Sequence, residues 1–301
     1  MGQGGAQRPA RGFELGRARW PAAARGRARS AGRGALSDFL GRYLARLGLA
    51  QRPAADLAGL DALLWAQRLA IPYDALDARL GRGVDIAPEA IAAKLLSGTR
   101  GGYCFELNPL FQRGLEALGF RVDPLLARVW FRQQPGDPVP PRTHIVLAVW
   151  LEGERWLADA GFGGGHVPAM RLADGAEAAG NDGSVHRLRH HDAFGWMLER
   201  HFGGEVRPQY SFTDELAQPA DLAMSNHWTA TSPESRFIRN VLVSQVTRDG
   251  LKSITNDQFS VQRGAESERM PIAGTAAMRA LLADEFGILL SDAEVAALGL
   301  F

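Results

Sequence analysis

The sequence contains very little cysteine, and this scarcity argues against several classes of protein. Its 301 residues include a single cysteine, Cys104. One thiol can form neither an intramolecular disulfide nor a cysteine-rich zinc site, which points away from a disulfide-stapled secreted protein. We therefore expect a protein of the reducing cytoplasm.

Long apolar runs and a net charge of one sign are also missing. The longest apolar run, Ile145–Leu151, is far shorter than the roughly 18–20 residues of a transmembrane helix and suits a buried strand. The 34 basic residues nearly balance the 33 acidic ones, so the overall field does not favour a nucleic-acid partner. With 46% hydrophobic and 22% charged residues, we expect a globular protein that has no membrane contact.

The first 35 residues differ from the rest of the chain in composition. They carry eight arginines against one acid, Glu14, among many glycines and alanines. Low hydrophobicity, positive charge and the lack of a sustained period predict a disordered arm over residues 1–35. An organelle transit peptide and a nucleic-acid-binding arm are alternatives with a similar composition, but no motif supports either one.

From Ser37 onward, apolar residues recur at helical spacing. Ser37 and Asp38 can cap the first of these helices. Helices are predicted over about 37–48, 56–69, 88–96 and 104–118. Gly119 is a suitable C-terminal end for the last helix, whereas Pro109 inside it predicts a kink or a later start.

Beyond Gly119 the apolar period shortens to that of strands. Strands are predicted over about 125–131, 144–150, 155–160, 194–202, 206–212, 237–246, 252–255 and 258–262. Glu152–Glu154 joins the second and third of these as a hairpin, and helices over about 275–286 and 292–298 close the chain. Helices first, then strands, then terminal helices indicate an α+β fold.

Cys104 stands directly after Gly101 and Gly102, where the fourth helix is predicted to begin. The free N–H groups and the dipole of a helix N-terminus make a thiol easier to ionise, and the thiolate is the nucleophilic form. A lone cysteine can equally be a small buried apolar residue. This stretch taken alone leaves both interpretations open.

A thiol nucleophile needs a base, and His144 at the start of an apolar strand is the best-supported of the seven histidines. Asp159 ends the next strand and could orient the imidazole. A turn centred between Gly153 and Glu154 makes Asp159 face Ala148, on the same sheet face as His144 but about 13 Å from it. Contact would need an earlier turn or a bulge, so hairpin counting does not establish the pair.

Three further histidines are weak candidates for metal ligands. His190, His191 and His201 lie near one another in the sequence. Carboxylate or thiol ligands at suitable spacing are lacking, so we expect no metal site.

The motifs together resemble those of the arylamine N-acetyltransferase family. Residues 100–108 read RGGYCFELN, and His144 and the run ADAGFG at 158–163 follow at similar spacings. The segment IPYDAL at 71–76 stands where the family has IPFENL, and residues 226–237 contain NHW and TSPESRF. Agreement at all of these positions by chance is improbable, which favours the nucleophile interpretation of Cys104.

The resemblance spans roughly residues 36–301 and implies an α+β fold of three parts. These are an N-terminal helical bundle over 36–120, a central β-barrel over 121–223 and a C-terminal α/β lid over 224–301. A cysteine-protease-like Cys-His-Asp core is implied where the first two parts meet. In it Cys104 would accept the acyl group, His144 would act as the base and Asp159 would orient His144.

The implied reaction is a ping-pong transfer of the acetyl group of acetyl-CoA, through acetylated Cys104, to an arylamine, arylhydrazine or N-hydroxyarylamine. The residues implied for acetyl-CoA are Gly161, Phe162, Gly163 and Gly164. Those implied for the acceptor pocket are Tyr73, Val129 and Phe162. Arg100 and Glu106 are implied as buried charges that support the site. Tyr73, Asp74 and Ala75 replace the Phe, Glu and Asn of the family segment, which leaves the preferred amine open.

Other functions share parts of this pattern. A thiol hydrolase or transglutaminase-like enzyme would use the same three residue types with another acyl donor. A related acyltransferase would transfer longer acyl chains, as in amide or macrolactam formation. A binding protein that uses the basic arm on an inactive scaffold is the non-enzymatic alternative.

Overall fold

The structure, a computed structural model, describes residues 29–131, 133–134 and 136–301. Most of the predicted arm, residues 1–28, therefore lies outside the described residues. Residues 29–35 belong to the first helix, which begins at Arg29 rather than at the predicted cap of Ser37 and Asp38. In the described part of the chain, no helix is both long and apolar enough to cross a membrane.

The first third of the chain is helical, as its apolar spacing predicts. Its helices are α1 (Arg29–Arg46), α2 (Leu57–Ala70), α3 (Leu76–Arg79), α4 (Pro88–Leu95) and α5 (Cys104–Leu118). Asp56 caps α2, because its carboxylate accepts a hydrogen bond of 2.8 Å from the Gly59 N–H. The predictions of α2, α4 and α5 are confirmed. The single turn α3 is too short to produce a period and was not predicted.

Helix α5 carries the only cysteine and begins at Cys104 itself. The Tyr103 N–H donates to Glu106 Oε2 at 3.1 Å and fixes the first turn. The helix continues through Pro109 and ends at Gly119, whose φ of 100° is left-handed. The predicted start at Cys104 is therefore confirmed, and the later start that Pro109 suggested as an alternative does not occur. The apolar face is buried in the bundle through Leu107, Phe111 and Leu115.

The middle of the chain forms one antiparallel sheet of eight strands. They are β2 (Arg121–Val129), β3 (Arg142–Leu151), β4 (Glu154–Ala158), β5 (Met170–Arg171), β6 (Glu177–Ala179), β7 (Val185–His191), β8 (Gly195–Phe202) and β9 (Glu205–Leu216). Their order across the sheet is β5-β4-β3-β2-β9-β8-β7-β6. The predicted strands of this region are confirmed with shifted ends.

The two edges of this sheet approach each other, so that the sheet nearly closes into a barrel. The Leu172 N–H donates to the Arg155 carbonyl of β4 at 2.8 Å, and the Gly175 N–H donates to the Leu188 carbonyl of β7 at 2.8 Å. Apolar side chains fill the interior, among them Leu125, Val146, Leu198 and Phe212. This arrangement agrees with the expected central barrel.

The C-terminal part combines a second antiparallel sheet with four helices. The sheet has the order β1-β10-β11-β12-β13, from β1 (Tyr73–Asp74), β10 (Leu242–Val246), β11 (Gly250–Thr255), β12 (Gln258–Arg263) and β13 (Glu266–Pro271). The helices are α6 (Pro219–Thr231), α7 (Arg236–Arg239), α8 (Thr275–Phe286) and α9 (Asp292–Ala297). The sheet therefore takes β1 from the helical first third.

Several elements of this part differ from the sequence predictions. The strand predicted over 237–246 begins only at Leu242, because residues 236–239 form α7. Helix α6 was not predicted at all. Strand β13 is exposed along its whole length, so it lacks the apolar alternation by which a strand is found. The closing helices α8 and α9 are confirmed.

Packing of α5 on α1 depends on a glycine. A Cβ at Gly114 would lie 2.3 Å from a ring carbon of Tyr43. Tyr43 is fully buried, and its hydroxyl donates to Gln67 Oε1 of α2 at 2.7 Å. The ring therefore has little freedom to move aside.

Replacement of Gly114 by alanine should lower the free energy of unfolding by about 1–3 kcal/mol, because the overlap outweighs the better helix propensity of alanine. Gly41→Ala in α1 is the matched control. Gly41 is exposed, and a Cβ added there would meet nothing within 4 Å, so this change should stabilise by up to about 1 kcal/mol. Urea unfolding measures the stability of both variants. If Gly114→Ala were stabilised as Gly41→Ala is, the close packing of Gly114 against Tyr43 would be contradicted.

Candidate active site

Cys104 is buried at the first position of α5. Its side chain is 2% exposed. The chain has no room for a Cβ at the two preceding positions. A Cβ on Gly101 would lie 2.2 Å from the Pro72 carbonyl oxygen, and a Cβ on Gly102 would lie 2.9 Å from Glu106 Oε2. The two glycines thus allow neighbouring chain segments to pack closely against the turn before the nucleophile candidate.

His144 lies at a bulge in β3. Ala127 pairs with His144 and Arg128 pairs with Arg142, so Thr143 is an extra residue in the strand. The Cys104 thiol donates a weak hydrogen bond of 3.7 Å to the Thr143 carbonyl. The bulge therefore brings the start of β3, with the buried His144 ring, to the thiol.

Asp159 reaches His144 because the hairpin has a different register from the predicted one. Glu152 and Gly153 form the turn with φ of 51° and 85°, and Ala158 pairs with Leu147. The predicted turn centre was wrong by one residue, which moves Asp159 two residues closer to His144 while keeping both on one face. His144 Nε2 and Asp159 Oδ2 are 2.7 Å apart.

Asp159 is held as a carboxylate by several donors. Its Oδ1 accepts hydrogen bonds of 2.9 Å from Asn108 Nδ2 and of 2.9 Å from the Gly161 N–H. Burial acts to raise the pKa of Asp159, but His144, Asn108 and Gly161 together outweigh it and lower this pKa. The Tyr210 hydroxyl is near the same carboxylate, and burial followed by that charge raises the pKa of Tyr210.

The environment of the Cys104 thiol opposes its ionisation. Burial, followed by the negative charge of Asp159, raises the pKa of Cys104. The N–H groups of Phe105 and Ile145 act in the opposite direction but are the smaller effect. The position at a helix N-terminus thus does not by itself make this thiol acidic, contrary to the expectation from the sequence. His144 Nε2 is bonded to Asp159, so Nδ1 is the ring nitrogen that does not face this carboxylate.

A group of paired charges surrounds the first turn of α5. Arg100 Nε is 2.9 Å from Asp74 Oδ2, and Lys94 Nζ is 2.7 Å from Glu106 Oε1. Asp77 is within 3.0 Å of both cations. Glu106 is 2% exposed, and burial raises its pKa to about 7 although Lys94 lowers it. Arg100 is partly buried and Glu106 fully buried, as expected. They do not pair with each other: Arg100 pairs with Asp74, and Glu106 pairs with Lys94.

A cavity of about 300 Å³ opens at the thiol. Every residue that the sequence predicted to contact acetyl-CoA or the acceptor lines this cavity. Cys104 and His144 form part of its wall. The predicted residues that line it are Tyr73, Val129, Gly161, Phe162, Gly163 and Gly164. The sequence did not predict the contributions of the C-terminal part, which include Trp228, Phe237, Leu242 and Ser244.

The segment Gly161–Gly165, which we call the glycine loop, borders this cavity. A Cβ on Gly161 would lie 3.0 Å from the Cys104 Cα and 2.8 Å from Asn108 Nδ2. The Gly163 carbonyl accepts a hydrogen bond of 2.8 Å from the Ser244 hydroxyl. The loop therefore passes directly beside the nucleophile candidate and is tied to β10.

Two residues of this site were not singled out from the sequence. Asn108 lies one helical turn after Cys104, and this i, i+4 spacing is a signal that could have found it. Tyr210 comes from β9, far from the motifs, and nothing local in the sequence marks it. The weak metal candidates are separated in the structure, since His190 pairs with Trp196 and His201 with Val185 at opposite ends of β7 and β8.

Comparisons with known proteins agree on one family. A family model described as N-acetyltransferase matches residues 56–295. An arylamine N-acetyltransferase of Mycolicibacterium smegmatis is 36% identical over 257 residues, which cover 84% of this chain and 93% of that protein. One of Escherichia coli is 33% identical, covering 86% of this chain and 92% of that protein. The chain belongs to the arylamine N-acetyltransferase family.

Solved structures of the family have the same fold. The arylamine N-acetyltransferase of Salmonella typhimurium superposes with a TM-score of 0.81 at 32% identity, covering 87% of this chain and 98% of that one. The Mycobacterium marinum arylamine N-acetyltransferase in complex with CoA superposes with a TM-score of 0.81 at 30% identity, covering 86% of this chain and 98% of that one. The resemblance inferred from the motifs is confirmed, and the chain is an acyltransferase.

Two buried histidines near the glycine loop take no part in the Cys-His-Asp group. They are His166, which follows the loop, and His186 in β7. The Nδ1 atom of each is buried and has no hydrogen-bond partner in the described part of the chain. Burial, aided by the positive charges of Arg68 and Arg200 respectively, lowers the pKa of His166 to about 3 and that of His186 to about 4.

These low pKa values predict acid sensitivity of the fold. As the pH falls below about 6.5, the unfolded chain binds protons at both histidines while the folded chain does not, so stability falls. Between pH 6.5 and pH 5 we expect each histidine to account for a loss of about 1–2 kcal/mol. Urea unfolding at both pH values should show a smaller loss for His166→Gln and His186→Gln, and an unchanged loss for the exposed control His190→Gln.

Proposed function

We propose that this chain transfers the acetyl group of acetyl-CoA to an arylamine, arylhydrazine or N-hydroxyarylamine through an acetyl-cysteine intermediate. The observation that carries the proposal is the buried Cys104 thiol in the wall of a cavity, with His144 and Asp159 hydrogen-bonded at 2.7 Å beside it. The relatives named arylamine N-acetyltransferase and the M. marinum complex with CoA support the acceptor and donor classes.

The first half-reaction acetylates the enzyme. His144 Nδ1 takes the proton of the Cys104 thiol, and the thiolate attacks the carbonyl carbon of the acetyl thioester. The new sulfur–carbon bond forms as the bond to the CoA sulfur breaks. The leaving CoA thiolate takes the proton back from the His144 imidazolium. One thioester replaces another, so the protein has mainly to supply ionisation and positioning.

The second half-reaction transfers the acetyl group to the acceptor. The amine nitrogen attacks the acetyl-cysteine carbonyl, and its proton passes to His144 as the bond to Cys104 sulfur breaks. Returning that proton to the thiolate restores the resting enzyme. Asp159 stabilises the imidazolium and fixes the ring with Nδ1 towards the thiol. The proposed reaction uses no metal.

Both substrates are proposed to enter this cavity in turn and to react at the part of its wall that Cys104 forms. Gly161, Phe162, Gly163 and Gly164 are proposed to approach acetyl-CoA, because the glycine loop passes beside Cys104 with little side-chain bulk. Tyr73, Val129 and Phe162 are proposed to border the acceptor. A volume of about 300 Å³ suits a small acyl group with one aromatic ring better than a long acyl chain.

Acetylation of Cys104 can be observed directly. Intact-protein mass spectrometry after brief mixing with acetyl-CoA, without amine, should show one added acetyl group on the wild type and none on Cys104→Ala. Addition of an arylamine should remove the group. If Cys104 reacts readily with iodoacetamide but takes no acetyl group, the donor is another acyl compound, and the longer-chain acyltransferase and hydrolase interpretations would replace this one.

Substitutions at the other two residues test the proton transfer. His144→Ala should nearly abolish the acetylation of Cys104, and Asp159→Asn should slow it by about 10³–10⁴-fold, because the imidazole loses its orientation and its anionic partner. Stopped-flow measurement of CoA thiol release gives the rate. The surface variant His190→Ala is the control. Near-normal rates in either active-site variant would exclude the proposed roles.

A further inference from the structure

A buried arginine of α2 holds the glycine loop. Arg68 is 5% exposed. Its Nη1 donates to the Phe162 carbonyl, and its Nη2 donates to the carbonyls of Gly164 and Gly165. One side chain of the helical bundle thus fixes three backbone carbonyls of a segment that lies more than 90 positions later in the chain.

The environment of Arg68 is unfavourable for a charge. Burial lowers its pKa to about 10, and the nearby Asp159 charge, the largest opposing effect, does not restore it. Within the described residues no carboxylate lies at ion-pair distance from Arg68, and its Nε has no hydrogen-bond partner. A buried cation that is paired only with carbonyl groups costs stability compared with an apolar side chain of similar length. Core packing alone therefore does not account for an arginine here.

The contacts of the glycine loop explain what the arginine achieves. The Phe162 ring packs against the His144 ring with centroids 5.4 Å apart and against the Tyr210 ring at 5.2 Å. Gly161 is held by Asp159 and Gly163 by Ser244. The Arg68 bonds fix the remaining backbone between and beyond these points. The bond to the Phe162 carbonyl thus fixes the backbone from which the Phe162 ring reaches the imidazole.

We propose that Arg68 is a positioning residue, which sets the conformation of the glycine loop for the acyl donor and, through Phe162, holds the His144 ring towards Cys104. The part that concerns the acyl donor rests on the function proposed above. The part that concerns His144 does not, because it follows from contacts within the chain.

Kinetics of Arg68→Met and Arg68→Lys test the first part. Arg68→Met should raise the KM for acetyl-CoA by about tenfold or more, with a smaller effect on the KM of the amine, because a displaced loop binds the donor poorly. Lysine can reach one carbonyl but not three, so the KM of Arg68→Lys for acetyl-CoA should lie between those of the wild type and Arg68→Met. Arg46→Met is the matched control, since the Arg46 Nε donates to the Leu95 carbonyl at 3.2 Å, away from the cavity.

Alkylation of Cys104 by iodoacetamide tests the second part without any substrate. The pH at half-maximal rate should move upwards in Arg68→Met, because a less well-held imidazole stabilises the thiolate less. A site that is merely looser would admit water to the thiol and move the midpoint downwards instead, because burial raises the pKa of Cys104. The control Arg46→Met should keep the wild-type midpoint, and circular dichroism at the assay temperature confirms that each variant is folded.

The outcomes separate the two proposals. A midpoint shifted upwards in Arg68→Met, with a wild type that is not acetylated by acetyl-CoA, would refute the proposed function and leave the role of Arg68 towards His144 intact. Folded Arg68→Met with wild-type KM values and the wild-type midpoint would show that Arg68 is only structural and would overturn the inference. An equal change in Arg46→Met would do the same.

Discussion

The side chain of Asn108 holds the helical bundle to the barrel beside Cys104, His144 and Asp159. Its Nδ2 donates to the Ile145 carbonyl of β3 at 2.6 Å and to Asp159, and its Oδ1 accepts from the Ala160 N–H at 2.8 Å. One buried amide therefore connects helix α5, which carries Cys104, with strand β3 and with the segment that follows β4. Because Cys104 and the His144–Asp159 pair come from separate layers, their relative position depends on this connection.

The balance of forces on the thiol follows from the same close packing. Burial excludes water from Cys104 and disfavours an isolated thiolate, more than the helix N-terminus favours it. In the proposed reaction, the thiolate forms only as its proton passes to the neighbouring imidazole. Under that proposal, ionisation of the thiol depends on how His144 is oriented, and the donors around Asp159 hold the carboxylate that orients it.

Sequence patterns predicted most of the helical part and the identity of the Cys-His-Asp residues, whereas geometry decided whether those residues meet. The apolar period of α5 and its glycine end predicted both of its limits. The hairpin register depended on which residues adopt positive φ, and Glu152 is not a residue for which this is expected. The bulge at Thr143 leaves no local signal. Asn108 could have been found by its spacing, but Arg68 acts on a distant loop and could not.

The strand β1 has a consequence for the order in which the protein becomes complete during synthesis. Tyr73 pairs with Ser244 on one side, and the Asp74 N–H donates to the Gly102 carbonyl at 2.8 Å on the other. Strand β1, which bonds to the segment in front of Cys104, therefore obtains its other partner, β10, from a part of the chain that leaves the ribosome long after the helical bundle. Until β10 has emerged, this edge of the pocket has no neighbour, so a nascent chain carries its cysteine without a finished pocket around it.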